Sequence, residues 1–195
     1  SETRDAPPEA VGLYQQTFVR ATLRSIWREK LTYGRFRGAD SRRLRKGDCF
    51  VKVDGSYTFN TDRETVWNAL LSPDVLSGCI PGSEKFVSTG PESYDIAMRI
   101  KIAAMTGNYT GKITIRNRVD LQSYTMIVEG TGRSGTVRGE GDFTFTETNG
   151  VTTVNIVGDA RISGVIARVG QRLMGSASKM LMNQFFDCLK SKVEA

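Results

Sequence analysis

Apolar and polar residues alternate along most of the chain after residue 50, which is typical of strands that bury one face. The first alternating stretch covers residues 51–59, and six more follow between residues 85 and 162. Turns such as Gly90-Pro91 and Asn149-Gly150 separate the later stretches by only a few residues. Because short connections join neighbouring antiparallel strands, the pattern predicts a seven-stranded antiparallel sheet.

The segment between the first two strands predicts two short helices. Thr61 and Glu64 have the spacing of a capping box, in which Thr61 begins the helix and Glu64 takes its third position. Pro73 suits the first turn of a second helix. The stretch Leu76-Ser77-Gly78-Cys79-Ile80-Pro81-Gly82 then ends that helix with a Gly/Pro turn.

A proline-free segment from Gly164 to Val193 predicts one long terminal helix, because its apolar residues recur at steps of three, four and seven. The predicted buried stripe consists of Ile166, Val169, Leu173, Ala177, Met180, Leu181 and Cys188. The predicted water-facing arc consists of Arg168, Arg172, Ser176, Lys179, Asn183 and Lys190. A strongly twisted sheet curls, so we expect this helix to cover the concave face, which gives an α+β helix-grip architecture.

Positive charge is concentrated at the start of the chain. Residues 1–50 carry 11 Lys/Arg against 6 Asp/Glu, a net of +5, whereas residues 51–195 carry 16 against 15, a net of +1. This asymmetry predicts a basic extension over residues 1–49, with one helix and an Arg-rich linker, followed by a folded domain over residues 50–195.

The basic extension is a candidate docking element, through Arg20, Arg24, Trp27 and Arg28. A basic helix with aromatic residues is suited to an anionic membrane surface or an acidic partner, here through residues 9–46. The alternatives are a helix that packs on its own domain and a helix that pairs two copies into a homodimer. Since no nucleic-acid motif is present, we expect no nucleic acid as a partner.

The three cysteines and the absence of histidine limit the kinds of catalytic and metal sites that the chain can form. Cys49, Cys79 and Cys188 lack metal-type spacing, so they are interpreted as free thiols in a reducing cytoplasm. The chain contains no histidine, which removes the usual general base and the His-paired nucleophiles. We therefore expect no catalytic residue, no metal site and no cofactor, in a cytoplasmic protein that attaches peripherally to the inner face of the membrane.

The inward positions of the predicted sheet and helix suggest an apolar cavity. The candidate cavity residues are Tyr57, Met98, Ile100, Tyr109, Ile113, Tyr124, Met126, Gly139, Gly141, Phe143, Ile156, Met174, Ala177, Leu181 and Phe185. Gly139, Gly141 and Gly158 fall where large side chains normally pack, so they either leave space or permit a sharp bend of the sheet. Gly170 and Gly175 are interpreted as helical glycines that each cost about 1 kcal/mol and permit close packing or leave space for a ligand.

Several stretches resemble the SRPBCC (START/Bet v 1-like) superfamily and, within it, the CoxG family, named for the G subunit of carbon monoxide dehydrogenase. They are Thr61-Asp62-Arg63-Glu64-Thr65-Val66-Trp67, the stretch around Cys79-Ile80-Pro81-Gly82, Gly130-Thr131-Gly132, Gly139-Glu140-Gly141 and the Gly/Ala/Met-rich start of the terminal helix. The resemblance covers residues 50–195, about three quarters of the chain. Residues 1–49 are not part of the family pattern.

The resemblance implies a helix-grip fold with a deep cavity for an apolar molecule such as a lipid or a quinone. It also implies a non-catalytic accessory protein that assists the maturation or membrane attachment of a molybdenum hydroxylase of the carbon monoxide dehydrogenase type. The alternative within the superfamily is a cyclase- or hydrolase-like enzyme that acts on an apolar small molecule. Such enzymes place polar residues at inward strand positions, and here those positions are mostly aliphatic, aromatic or glycine.

Overall fold

The structure, a computed structural model, describes residues 48–102 and 106–195. The strands are β1 (Cys49–Phe59), β2 (Ser83–Gly90), β3 (Ser93–Ile100), β4 (Gly107–Val119), β5 (Ser123–Gly132), β6 (Gly135–Thr148) and β7 (Val151–Ser163). The helices are α1 (Arg63–Leu71), α2 (Pro73–Cys79) and α3 (Gln171–Val193), with a short 3-10 helix (Val165–Val169) before α3. The predicted N-terminal helix, linker and docking residues, Arg20, Arg24, Trp27 and Arg28, lie outside the described residues, so they stay predictions.

The strands form one curved antiparallel sheet in the order β1-β7-β6-β5-β4-β3-β2. Strands β2 to β7 pair with their neighbours in the chain, and β1 pairs with β7 from Cys49 opposite Ile162 to Phe59 opposite Thr152. Helix α3 packs against β1 and also contacts α1 and α2. The predicted seven-stranded sheet with two short helices and a long terminal helix is therefore confirmed. Among the described residues, no helix combines the length and hydropathy that crossing a membrane requires.

Helix α1 begins one residue later than predicted. Asp62, not Thr61, is the N-cap, and its carboxylate accepts a hydrogen bond from the backbone N–H of Thr65 at 2.8 Å. That hydrogen bond from the Thr65 backbone, followed by one from the Thr65 side chain, lowers the pKa of Asp62. A carboxylate satisfies the free N–H groups of a first turn and interacts favourably with the helix dipole, which explains why the acidic residue takes the cap.

The terminal helix is shorter than predicted, because Gly170 interrupts it. Gly170 has φ of +89°, a conformation that glycine adopts readily, and it is the N-cap of α3 and not a residue inside the helix. The residues before it form the separate 3-10 helix. The predicted stripe is therefore wrong in part, since it assumed one continuous helix. Leu173 and Met180 are exposed, whereas the residues of α3 that are buried are Met174, Ala177, Phe186 and Leu189.

Cys79 and Cys188 form a disulfide with a Cα–Cα distance of 5.4 Å, so the prediction that all three cysteines are free is wrong. Cys79 is the last residue of α2, and Cys188 lies near the end of α3, 109 residues later. The two cysteines meet because α2 packs directly on α3. Cys49 is a free, buried cysteine. Two of the three cysteines therefore no longer support the predicted reducing cytoplasm.

Candidate functional site

Two apolar clusters occupy the concave face of the sheet in the described part of the chain. The buried core of the Trp67 cluster is Phe59, Val66, Trp67, Ala69, Leu70, Tyr94, Ile115, Tyr124, Phe143, Phe145, Val154, Ile156, Phe186 and Leu189. The buried core of the Ile166 cluster is Cys49, Val51, Tyr109, Ile162, Ile166, Ala167, Met174 and Ala177. The Trp67 cluster packs against the second half of α3 and the Ile166 cluster against its first half, so the concave face is divided along the helix.

The structure distributes the predicted cavity residues between these clusters. Tyr57, Ile113, Tyr124, Met126, Phe143, Ile156 and Phe185 belong to the Trp67 cluster or pack against it. Met98, Ile100, Tyr109, Met174 and Ala177 belong to the Ile166 cluster or pack against it. Gly139, Gly141 and Leu181 are part of neither cluster.

A block of small residues lies between the clusters, at the centre of β6 and β7. Gly139 pairs with Ala160, and Gly141 pairs with Gly158, so four neighbouring inward positions carry almost no side chain. Bulkier pairs flank the block on both sides: Phe143 with Ile156, and Val137 with Ile162. We call Gly139, Gly141, Gly158 and Ala160 the small-residue block. Alternation after Gly158 places Ala160 on the same inward face, but Ala160 was not among the predicted cavity residues.

Gly139 and Gly141 each have room for one more carbon atom on the concave face. A Cβ atom at position 141 would have its nearest neighbours at 3.9 Å, and one at position 139 would have them at 3.4 Å and 3.5 Å. The nearest neighbours of both positions belong to β7 and lie at van der Waals distance, so a methyl group fits at either position without a clash. Both glycines are also partly accessible to solvent. The small-residue block therefore leaves room on the concave face between the two clusters.

Gly158 is different, because here the backbones of β6 and β7 approach closely. A Cβ atom at position 158 would overlap the carbonyl oxygen of Glu140 and come within 2.6 Å of the Cα atom of Gly141. Glycine is required at such an approach. Both interpretations of the inward glycines thus apply, at different positions: Gly158 permits the close approach of the strands, whereas Gly139 and Gly141 leave space.

Three tyrosine hydroxyls supply polar groups to this side of the sheet. The Tyr57 hydroxyl donates a hydrogen bond to Oδ1 of Asn183 on α3 at 3.0 Å, and the Tyr109 hydroxyl shares one with Ser134 Oγ. The Tyr124 hydroxyl has no hydrogen-bond partner, although the residue is only 1% exposed. Burial, and next the neighbouring Tyr94, raise the pKa of Tyr124 above its usual range. Tyr124 therefore remains a neutral hydrogen-bond donor in the Trp67 cluster.

Burial also raises the pKa of Tyr57, with smaller contributions from Asp187 and Asp54. The Tyr57 ring stacks on Phe186 with centroids 3.9 Å apart, while its hydroxyl reaches Asn183 at the surface. Asn183 was predicted to face water, and it is exposed, but it also anchors this tyrosine. Tyr57 therefore joins β1 to α3 at the rim of the concave face.

A groove of about 730 Å³ lies on the opposite, outer face of the sheet. Charged side chains in neighbouring registers line it, including Lys112, Glu129 and Arg138. None of the predicted cavity residues lines this groove. Arg138 forms an ion pair with Glu129, which also lies opposite Lys112, whereas Arg138 lies opposite Arg161 on β7. Because charged and exposed side chains line it, the groove has the character of a solvated outer face.

Comparisons with known proteins place these features in a family. No curated protein matches the chain. A conserved protein from Geobacillus kaustophilus is 29% identical, with a TM-score of 0.71 over 73% of this chain and 95% of that one. A START superfamily protein from Mycobacterium smegmatis is 11% identical, with a TM-score of 0.59 over 73% of this chain and 97% of the other.

The ZhuI aromatase/cyclase from Streptomyces sp. R1128 is also 11% identical, with a TM-score of 0.55 over 74% of this chain and 94% of that one. At such identities these two likenesses show the fold alone, and they confirm the predicted START/Bet v 1-like helix-grip fold. The family model for CoxG, the G subunit of carbon monoxide dehydrogenase, matches residues 55–194. The chain belongs to the CoxG family of carbon monoxide dehydrogenase subunits.

Proposed function

We propose that this chain is a non-catalytic accessory protein that binds an apolar molecule, lipid- or quinone-like, between its sheet and α3. The observation that carries the proposal is the room that the small-residue block leaves at Gly139 and Gly141, where the nearest neighbours of an added Cβ atom are van der Waals contacts from β7. Apolar side chains lie beside these glycines, since Val128 pairs with Gly139 and Met126 pairs with Gly141. Ligand sites are mostly apolar with a few polar groups, and the nearby tyrosine hydroxyls are such groups.

The partner proposed for this chain follows from its family. The family takes its name from a component of carbon monoxide dehydrogenase, and the family model spans most of the helix-grip domain. We therefore propose that the chain assists the maturation or membrane attachment of a molybdenum hydroxylase of this type. Residues 9–46, with their excess of arginine and lysine, are a candidate contact with that enzyme or with the membrane.

The alternative, a cyclase- or hydrolase-like enzyme, has less support. The chain has no histidine, and the residues bordering the small-residue block are glycine, alanine or other apolar residues. General acid–base catalysis needs a titratable group within hydrogen-bond reach of the substrate. Burial raises the pKa of Tyr57 and of Tyr124, so both stay protonated near neutral pH and act as hydrogen-bond donors, not as general bases. Binding without turnover is the better supported proposal.

The direct test is native mass spectrometry of the full chain purified from its own source, with organic extraction of any bound species. The informative variant is Gly141→Leu, because a Cβ atom there has no neighbour closer than 3.9 Å, whereas one at Gly139 starts 3.4 Å from a backbone oxygen. Thr144→Leu is the matched control, since it adds the same side chain to an exposed position of β6 on the outer face.

We expect a stoichiometric apolar molecule in the wild-type chain and in Thr144→Leu, and none in Gly141→Leu. A ligand-free mass for the wild-type chain, together with no uptake from added lipids or quinones, would overturn the carrier proposal. Conversion of the extracted molecule to a new product on incubation with the protein would instead favour the enzyme alternative.

A further inference from the structure

Helix α2 is attached to α3 at its last residue. Cys79 ends α2 and forms a disulfide with Cys188, near the end of α3. Within the described residues, no ion pair joins residues 73–79 to another helix or strand. The hydrogen-bond contact that these residues make with another element is the Gly78 carbonyl oxygen facing the Cys188 sulfur. The disulfide is therefore the principal attachment of α2 to α3.

Residues 72–81 form a segment whose two ends are anchored to β3. At one end, the Tyr94 hydroxyl donates a hydrogen bond to the carbonyl oxygen of Leu71 at 3.4 Å. At the other end, the backbone N–H of Arg99 donates to the carbonyl oxygen of Gly82 at 2.7 Å. We call residues 72–81 the α2 flap, because both ends of the segment are held independently of α3.

Few side chains hold the α2 flap down between these anchors. Leu76 and Cys79 are the buried residues of α2, and Val75 packs against the Trp67 cluster from a half-buried position. A segment with so few buried contacts opens locally at a lower free energy than the strands of the sheet do. The disulfide therefore decides how firmly the flap closes this end of the Trp67 cluster.

The disulfide lies where a reductant can reach it. Cys79 is 4% exposed, whereas Cys188 is half-buried, so Cys188 is the more accessible partner. Lys192 follows one helical turn later, and its amino nitrogen would lie 3.6 Å from a Cβ atom on the residue before Cys79. Asp187 acts on Tyr57 and thus lies on the β1 side of α3. A cation beside a leaving sulfur stabilises the thiolate and promotes thiol–disulfide exchange.

We propose that the Cys79–Cys188 disulfide is a redox-controlled latch on the α2 flap, and that a protein dithiol opens it. A thiolate of the reductant attacks the Cys188 sulfur, the S–S bond breaks, and Cys79 leaves as a thiolate beside Lys192. The second thiolate of the reductant then attacks the reductant's own sulfur in the mixed disulfide and releases Cys188. Two electrons pass from the dithiol to the disulfide, and the two protons of the dithiol end on the cysteines.

Reduction frees the α2 flap from α3 while both of its ends stay anchored to β3. The end of the Trp67 cluster beneath Val75 then opens to the surroundings, and oxidation closes it again. That the opening serves the entry and exit of an apolar molecule rests on the proposed function. The latch itself does not, because it depends on the disulfide and on the few contacts of the flap.

The experiment is amide hydrogen exchange of the full chain, oxidised or reduced with dithiothreitol, at several low urea concentrations. On reduction, we expect the amides of residues 76–80 to exchange roughly 30-fold faster, at rates that urea does not change because the flap opens locally. Amides of β6 and β7 should keep a strong urea dependence, since they exchange through unfolding of the whole domain. Flap amides with the urea dependence of the sheet, or a disulfide that dithiothreitol leaves intact in the folded chain, would overturn the proposal.

Variants separate the parts of the latch. Cys79→Ser with Cys188→Ser should show the fast exchange with and without dithiothreitol, whereas Cys49→Ser should respond as the wild-type chain does. Lys192→Gln should slow the reduction by dithiothreitol roughly threefold. Lys179→Gln is its matched control, because Lys179 is an exposed lysine of α3 more than three turns away from Lys192. Equal reduction rates in the two lysine variants would contradict the role of Lys192.

Uptake of the fluorescent fatty acid cis-parinaric acid distinguishes the latch from the carrier proposal. We expect the reduced chain to take up this probe faster than the oxidised chain, in step with the opening of the α2 flap. No uptake in either redox state, with a flap that opens on reduction, would contradict the carrier proposal alone. Uptake at the same rate in both states, with a flap that stays closed on reduction, would contradict this inference alone.

Discussion

Gly141 and Gly158 are paired directly across β6 and β7, yet only one of them has room for a side chain. The built Cβ atom meets nothing nearer than 3.9 Å at position 141, whereas at position 158 it overlaps the backbone of β6. The concave face therefore has two different properties at this one pair of residues. The strands approach each other closely at Gly158, whereas Gly141 leaves room for a methyl group on the concave face.

Alanine substitution at these two glycines should separate the two properties. Gly158→Ala should lower the free energy of unfolding by about 2 kcal/mol, because the new methyl group forces the strands apart. Gly141→Ala should change it by less than about 0.5 kcal/mol or raise it slightly, because alanine restricts the unfolded chain. Urea unfolding of both variants measures the difference. A loss at Gly141 as large as that at Gly158 would mean that the space is already filled.

A second pair of variants tests the tyrosine hydroxyls. Tyr124→Phe removes a buried hydroxyl without a partner and should raise the free energy of unfolding of the ligand-free protein by about 1 kcal/mol. Tyr109→Phe removes a hydroxyl bonded to Ser134 and should lower it by about 1 kcal/mol. Chemical denaturation after organic extraction provides both values. If Tyr124→Phe is the more damaging change, the Tyr124 hydroxyl has a partner in the folded chain.

The disulfide predicts a redox-dependent stability. Cys79 and Cys188 are 109 positions apart in the sequence, and a crosslink over such a loop typically stabilises a domain by about 2–4 kcal/mol. Replacing both cysteines with serine should lower the free energy of unfolding by about that amount. Dithiothreitol should then not change the stability of this variant any further. Cys49→Ser is the control, since Cys49 is not crosslinked and its variant should keep its response to the reductant. Identical denaturation midpoints with and without reductant in the wild-type chain would exclude a stabilising disulfide.

The start of α3 provides another matched comparison. Gly170 has φ of +89° and ψ of 154°, which other residues adopt only at a cost of about 1–3 kcal/mol, so Gly170→Ala should destabilise the domain by that amount. Gly175 lies inside α3, with Val51 no closer than 4.0 Å to a Cβ atom there. Gly175→Ala should therefore raise the free energy of unfolding by up to about 1 kcal/mol. Thermal unfolding of Gly170→Ala and Gly175→Ala measures both changes in stability. Equal changes in the two variants would mean that α3 continues through Gly170.

The sheet could be predicted from the sequence because alternation with a period of two assigns each residue of a strand to one face. The same rule placed Gly139 and Gly141 on the concave face. It could not distinguish them from Gly158, because all three are inward glycines in strands and only the separation of the strands differs. The nature of the candidate site therefore depends on tertiary distances that a pattern does not contain.

The terminal helix and the cysteines are two further features that depend on tertiary structure and that local sequence patterns did not predict correctly. The stripe that included Leu173 and Met180 assumed an unbroken helix, and the left-handed backbone of Gly170 changed the register. Cys79 and Cys188 have no informative spacing in the chain, and they meet only because α2 packs on α3. Local periodicity predicts elements, but it does not predict where separate elements touch.

We propose that the room in front of Gly139 and Gly141 holds an apolar molecule. Calorimetric titration of the extracted full chain with decylubiquinone and with a fatty acid tests it most directly. We predict saturable uptake of one molecule per chain for one of these ligands, retained in Thr144→Leu and abolished in Gly141→Leu while both variants stay folded. No uptake by the wild-type chain, or equal uptake by Gly141→Leu, would contradict the account.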